Sequence, residues 1–273
     1  METQFAEING HRLRYRLAGD GPLVVFGHGL LGSIDQLDEQ ATVLRMAEER
    51  VRMLVYDARG HGQSGGPEDH AQYTWESMGR DMSAFVDLAG EEKAILGGGS
   101  MGAATALWVA LEQPEKVRAL VLAIPPPLGH EPMRAQAEKQ ALQTLELLSH
   151  AINNFGLEAT VTLAKNMPGF ASDEAAAEER ANWLRGQNRL ALQYAIRGLV
   201  QSPFHDPEAY RQIRVPTLVI AHEDDGLHPM RAAKLLNDSI PDCRLLVGPS
   251  NGYWWEHQDE LRVELEAFLD RLG

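Results

Sequence analysis

Short apolar runs rich in Val, Ile and Leu alternate along the chain with longer amphipathic stretches. This is the rhythm of parallel strands joined by helices. The opening differs. Gln4 to Ile8 and Arg12 to Ala18 flank Asn9-Gly10, a two-residue hairpin signal, so an antiparallel pair is expected to lead the sheet. Further strands are predicted at Leu23 to Phe26, Val51 to Tyr56, Lys93 to Leu96, Val117 to Ile124, Val215 to Ile220 and Arg244 to Val247. Between them lie helix-like stretches at Gln36 to Glu49, Trp75 to Ala89, Ala103 to Glu112 (stopped before Pro114), Met230 to Leu236 and Asp259 to Leu272.

The rhythm breaks after Pro125-Pro126-Pro127. No strand-like run follows until Val215, and Ala and Leu dominate Ala135 to His150, Leu157 to Asn166, Ala175 to Arg185 and Leu190 to Val200. A structureless loop of that length does not suit a compact domain, so an inserted helical subdomain is expected over the carboxyl edge of the sheet. The fold class is therefore α/β: a doubly wound, mostly parallel, eight-stranded sheet from residues 1–124 and 209–273, with a helical cap from 125–208.

Composition narrows the function. The chain has 273 residues, ample for a buried core, and acids outnumber bases 39 to 25. A formal charge of −14 repels a phosphate backbone, which argues against nucleic acid as a partner. No apolar run is long enough to cross a bilayer, and the first residues lack a basic-then-apolar leader, so a cytoplasmic protein without a membrane partner is expected. The single cysteine, Cys243, cannot form an internal disulfide, and no Cys/His cluster has zinc-ligand spacing. No metal or other cofactor is expected. The sequence leaves monomer and homodimer open.

Gly98-Gly99-Ser100-Met101-Gly102 fits G-x-S-x-G between a predicted strand and a predicted helix. A nucleophile on so sharp a turn has strained backbone, and glycines two residues to either side remove collisions with the neighbouring strand and helix. Ser100 would then project at a helix N-terminus, where free N–H groups favour developing negative charge. The plain alternative is a glycine-rich turn with an incidental serine. His28-Gly29-Leu30-Leu31-Gly32-Ser33 follows a strand and can aim a backbone N–H at an oxyanion, so the N–H groups of Leu30 and Met101 are the expected oxyanion hole. His28 could instead be a base, although its place directly after a strand favours a structural role bonding the loop backbone; with Gly29 it is also a candidate for the substrate site.

These pieces, with Asp57-Ala58-Arg59-Gly60-His61-Gly62-Gln63-Ser64, the helical insert and His222-Glu223-Asp224-Asp225-Gly226-Leu227-His228-Pro229, resemble the α/β-hydrolase superfamily over nearly the whole chain. The resemblance implies a serine nucleophile, a carboxylate after the seventh strand and a histidine after the eighth. Its acid usually stands in G-x-x-D-x-x-x-P. Aligning on Pro229 selects Asp225 over its neighbours Glu223 and Asp224, with His222 where glycine is usual. In the register set by Glu256 and Gln258, the histidine position holds Asn251. An amide cannot act as a general base at neutral pH. Three explanations stand: Asn251 is a disabling substitution, the chain has abandoned hydrolysis, or another histidine, with His257 nearest, replaces it.

The expected activity is hydrolysis of an ester, lactone or related acyl bond through an acyl-enzyme on Ser100, with Asp225 orienting a histidine restored at position 251. With Asn251 in that place, the chain as it stands is expected to be an inactivated, His-less variant that binds better than it turns over. A lyase or carbon–carbon hydrolase on the same scaffold, or a non-catalytic small-molecule binder, is the alternative. The apolar faces of the insert (Leu145, Leu148, Ile152, Phe155, Leu163, Trp183, Leu192, Ile196) suit a small hydrophobic acyl substrate, although most of these residues are expected to pack within the cap. Trp183 and Trp254 are candidate pocket walls, with simple core packing the commoner role for an aromatic beside position 251.

Overall fold

The computed structural model describes residues 2–40, 50–126, 136–165, 173–225 and 227–273. Its eight strands are β1 (Gln4–Ile8), β2 (His11–Ala18), β3 (Leu23–Gly27), β4 (Arg52–Tyr56), β5 (Ala94–Gly99), β6 (Val117–Ala123), β7 (Thr217–His222) and β8 (Cys243–Gly248). They lie in one sheet in the order β1-β2-β4-β3-β5-β6-β7-β8. β1 and β2, and β2 and β4, run antiparallel, and all other pairs are parallel. Asn9 and Gly10 take φ of 50° and 83°, as a two-residue turn between right-twisted strands requires.

The helices are α1 (Ile34–Gln40), α2 (Trp75–Leu88), α3 (Met101–Glu112), α4 (Gln136–Phe155), α5 (Leu157–Lys165), α6 (Glu174–Arg185), α7 (Ile196–Gln201), α8 (Met230–Ser239), α9 (Tyr253–Glu256) and α10 (Gln258–Asp270). A π-helical turn at Ala191–Ala195 leads into α7. α4 to α7 all fall between β6 and β7, where the sequence predicts helix; the parts of that insert at 127–135 and 166–172 lie outside the described residues. The same holds for 41–49 of the helix expected from Gln36. α9 has no counterpart in the sequence prediction, because four residues with three aromatics show no helical period. No helix among the described residues is long and apolar enough to cross a membrane.

Alternation along the strands divides the core between the two faces of the sheet. Val25, Leu54, Leu96, Leu120 and Val219 pack with α2, α3, α8 and the insert, while Val24, Val55, Ile95, Val121 and Ile220 pack with α1 and α10. The parallel strands are thus covered on both sides, and their carboxyl ends gather at one edge. Three glycines set how closely that edge packs. A Cβ on Gly102 of α3 would lie 2.1 Å from the Gly27 carbonyl oxygen, and one on Gly98 of β5 would lie 2.5 Å from the same atom. α3 therefore rests directly on the backbone of β3 and β5.

Gly102→Ala is expected to lower unfolding free energy by about 3 kcal/mol or more, because the methyl meets immobile backbone. Gly99→Ala, where nothing lies within 4 Å of the added carbon, should stay within about 0.5 kcal/mol of the parent. Urea unfolding of the two variants checks the contrast.

Candidate active site

Ser100 stands between the last residue of β5 and the first of α3, with φ 50° and ψ −106°. A non-glycine residue in this region stores strain of about 1–3 kcal/mol, which the surrounding structure must hold. Two backbone bonds hold it: Ser100 N–H donates to Ala123 O at 3.0 Å, and Ala104 N–H donates to Ser100 O at 3.0 Å. The side chain is thereby lifted off the sheet edge at the start of a 12-residue helix.

The imidazole that meets it comes from His228. Its Nε2 lies 2.9 Å from Ser100 Oγ, and its Nδ1 lies 2.9 Å from Asp225 Oδ2. Because a carboxylate only accepts, Nδ1 carries the proton and Nε2 is left to accept from the serine hydroxyl. Asp225 is itself fixed by its own loop: its Oδ1 accepts the N–H groups of Leu227 at 2.9 Å and His228 at 3.0 Å. Burial alone would push this carboxyl up, but the His228 ring and those two backbone donors hold it at about 2. Asp225 is thus ionised at neutral pH.

This corrects the expectation for position 251. Asn251 is exposed in the turn after β8 and makes no hydrogen bond to Ser100 or Asp225 among the described residues. His257 does not fill the place either. Its Nδ1 donates to Tyr253 O at 2.9 Å, and its ring stacks on Tyr253 at 3.9 Å, at the N-terminus of α10. Of the explanations open in the sequence, the geometry supplies another histidine, and from the loop that already carries the acid. The signal was Asp225-x-x-His228, a spacing at which two side chains of one turn can touch. It passes unnoticed when the base is sought only after β8.

The loop expected to supply an oxyanion donor is built on His28. Ala58 N–H donates to His28 Nε2 at 3.0 Å, so Nδ1 must be the protonated nitrogen, and it donates to Gly29 O at 2.7 Å. His28 is 2% exposed and both its nitrogens are engaged, which removes it from the substrate-binding set and makes it structural. Gly32 N–H also donates to Gly29 O, at 2.9 Å, and a Cβ on Gly32 would lie 2.8 Å from that oxygen. Gly29 runs beside the nucleophile: a Cβ there would stand 3.7 Å from Ser100 Cβ. Its carbonyl shares a trans peptide with Leu30 N–H, so the bonds that hold the one aim the other in the opposite direction. Met101 N–H opens α3 and has no intrahelical acceptor.

The tryptophans depart from expectation. Trp254 is buried against Ile220, Leu261 and Leu265, and its Nε1 donates to Ala221 O at 3.1 Å, so it is core on the α10 side and not a pocket wall. Trp183 lies half-exposed on α6 and has no hydrogen bond or ring contact with the triad among the described residues. Within the insert, Ile152, Leu192 and Ile196 are buried, whereas Phe155 and Leu163 face solvent. His222, where glycine is usual, is buried at the end of β7, and burial lowers its pKa. Its ring fits because β8 offers only Gly248 opposite it.

A family model for the alpha/beta hydrolase fold matches residues 22–254. A hydrolase of 2-hydroxy-6-oxo-6-(2'-aminophenyl)hexa-2,4-dienoic acid from Metapseudomonas resinovorans is 27% identical, over 98% of this chain and 91% of its own length. The crystal structure of a hydrolase from Pseudomonas aeruginosa PA01 superposes with a TM-score of 0.76 at 25% identity, covering 98% of each chain. The enol-lactonase from Burkholderia xenovorans LB400 has the same fold, with a TM-score of 0.76 at 19% identity over 98% of this chain and all of its own.

Burial lowers the pKa of His28 to about 4 and of His61, whose ring lies 5.2 Å away, to about 3. Both fall below the unfolded value near 6.5, so between these limits the unfolded chain binds protons that the folded one refuses. Their stability contribution is complete above about pH 6.5 and is lost as pH falls toward 4. Urea midpoints at pH 7.5 and pH 5 should show a lower value at pH 5; equal midpoints would contradict the burial argument. By sequence, fold and site, the chain belongs to the α/β-hydrolase fold family and is a hydrolase.

Proposed function

We propose that the protein is a serine hydrolase that cleaves an ester, lactone or related acyl bond of a small, largely hydrophobic molecule. The observation that carries this reading is the continuous line from Ser100 Oγ through His228 to Asp225, with both links at 2.9 Å. Ser100 Oγ attacks the carbonyl carbon as His228 Nε2 takes its proton. The oxyanion forms between the N–H groups of Leu30 and Met101. As the carbonyl re-forms, the leaving group departs with the proton from His228 and an acyl-enzyme remains. Water then loses a proton to His228 and attacks the acyl carbon, and return of that proton to Ser100 Oγ releases the acid. Asp225 stays ionised throughout and stabilises the imidazolium. The helices between β6 and β7 serve as a cap over the cleft.

Carbon–carbon bond hydrolysis is the second reading, favoured by the substrate in the name of the Metapseudomonas resinovorans relative. It would use the same residues, and a substrate panel separates the two.

The test is hydrolysis of p-nitrophenyl esters and simple lactones, with Ser100→Ala as the blank. His228→Ala should lower kcat by about 10⁴-fold with KM changed only a few-fold. Asn251→Ala should stay within about threefold of the parent, and Asn251→His should bring no gain of orders of magnitude. Undiminished turnover in His228→Ala, or a large gain in Asn251→His, would overturn the assignment of the base. Wild-type protein inert toward every ester and lactone, yet active on a carbon–carbon substrate, would favour the second reading.

A further inference from the structure

The oxyanion loop and the insert meet through one turn of the core. The loop, His28 to Ile34, is fastened to the turn Asp57 to Gly65 at both ends. At its start Ala58 N–H donates to His28 Nε2 at 3.0 Å, and at its end Ile34 N–H donates to Asp57 Oδ1 at 2.7 Å. The turn is internally tied, with Gln63 N–H donating to Asp57 Oδ2 at 2.8 Å, Ser64 Oγ–H to Asp57 O at 2.7 Å, and Ser64 N–H to His61 O at 2.9 Å. Its outer side is gripped by the insert. Asn188, between α6 and the π-helical turn, donates its two amide hydrogens to Gly62 O and Ser64 O, both at 3.1 Å, while its Oδ1 accepts Leu190 N–H at 2.9 Å.

We propose that Asn188 is a positioning residue for the oxyanion hole, coupling the seating of the cap to the direction of Leu30 N–H. The inference rests on the serine-hydrolase reading for its consequence, though not for its geometry. The chain of contacts is short. Asn188 holds the Gly62 and Ser64 carbonyls; the turn they belong to presents Ala58 N–H and the Asp57 carboxylate; these hold His28 and Ile34. His28 Nδ1–H then fixes Gly29 O, and with it the peptide plane that carries Leu30 N–H. The turn is also tied to β2, through Arg14 N–H to Ser64 Oγ at 2.8 Å and Gly65 N–H to Arg12 O at 2.9 Å, and Gly29 O keeps its second donor, Gly32 N–H, so loosening the outer grip lets the inner plane tilt without releasing it. A donor that must lie about 3 Å from a developing oxyanion tolerates little tilt. Such coupling is established only by showing that a change at one end is felt at the other.

Asn188→Asp is the sharpest variant. It keeps the acceptor for Leu190 N–H, removes both donors and sets a carboxylate against two carbonyls. Kinetics on p-nitrophenyl acetate, whose two-carbon acyl group asks less of the pocket than an eight-carbon one, and on p-nitrophenyl octanoate separate positioning from pocket shape. The expected result is a fall in kcat of about tenfold for both esters with the KM for acetate little changed, since full loss of an oxyanion donor costs about 10²- to 10³-fold. Arg189→Ala cuts another link between insert and core, the exposed ion pair with Glu68, and should leave kcat within about twofold. A loss confined to octanoate would overturn the proposal.

Hydrogen exchange on the full-length Ser100→Ala protein, with and without Asn188→Asp, reads the coupling without turnover. The amides of Gly32, Ile34 and Ala58 should exchange about tenfold faster in the double variant. Faster exchange confined to 173–201 would refute the coupling. If the parent turns over neither esters nor lactones, the ester-and-lactone reading fails while exchange still decides the coupling. Should Asn188→Asp not fold, Asn188→Ser serves in both measurements with the same expected directions.

Discussion

One loop must hold an imidazole against a serine and a carboxylate at the same time, and the chemistry of this protein depends on that constraint. Asp225 and His228 meet it within a single turn, three residues apart, and the backbone N–H groups of Leu227 and His228 fold back onto the same carboxylate. The pair is therefore assembled locally, before the rest of the site is considered. What remains is to bring Ser100 to the free ring nitrogen, and that is a matter of how β5 and β7 are placed in the sheet.

Placement follows from close packing. β5 and β7 flank β6, and the glycines at 27, 98 and 102 let α3 settle onto the backbone of β3 and β5, so the elbow sits at the sheet edge with its strained serine lifted toward the β7 loop. The same edge carries the oxyanion loop, held by a neutral histidine whose two nitrogens are both spent on backbone groups. Burial keeps that ring neutral, which preserves its tautomer and the aim of the Gly29–Leu30 peptide. Stability and chemistry thus share one source: His28 can hold the loop only while it is unprotonated.

The strands from β3 onward were legible because they are short, mainly apolar runs bounded by turn residues, and the leading hairpin because Asn9-Gly10 accepts positive φ. Ser100 and Asp225 were legible from motif and context, and the structure places both at the same site. His228 was not, because the register after β8 pointed to Asn251 and a histidine three residues after the acid breaks no local rule. Nothing in an amphipathic pattern says which loop will lend a side chain across a sheet edge. Trp254 was misread for a related reason. An aromatic beside a catalytic register looks the same in sequence whether it walls a pocket or fills the core, and its burial in the α10-side core and the bond from its Nε1 to Ala221 O distinguish them.

The central claim is that His228, and no other histidine, is the ring bonded to Asp225. Proton NMR of the exchange-slowed Nδ1–H resonance, which a carboxylate hydrogen bond moves far downfield, tests it most directly. The resonance should be present in the parent, vanish in His228→Gln and in Asp225→Asn, and persist in Asn251→Ala and His257→Gln. Its survival in His228→Gln would contradict the account.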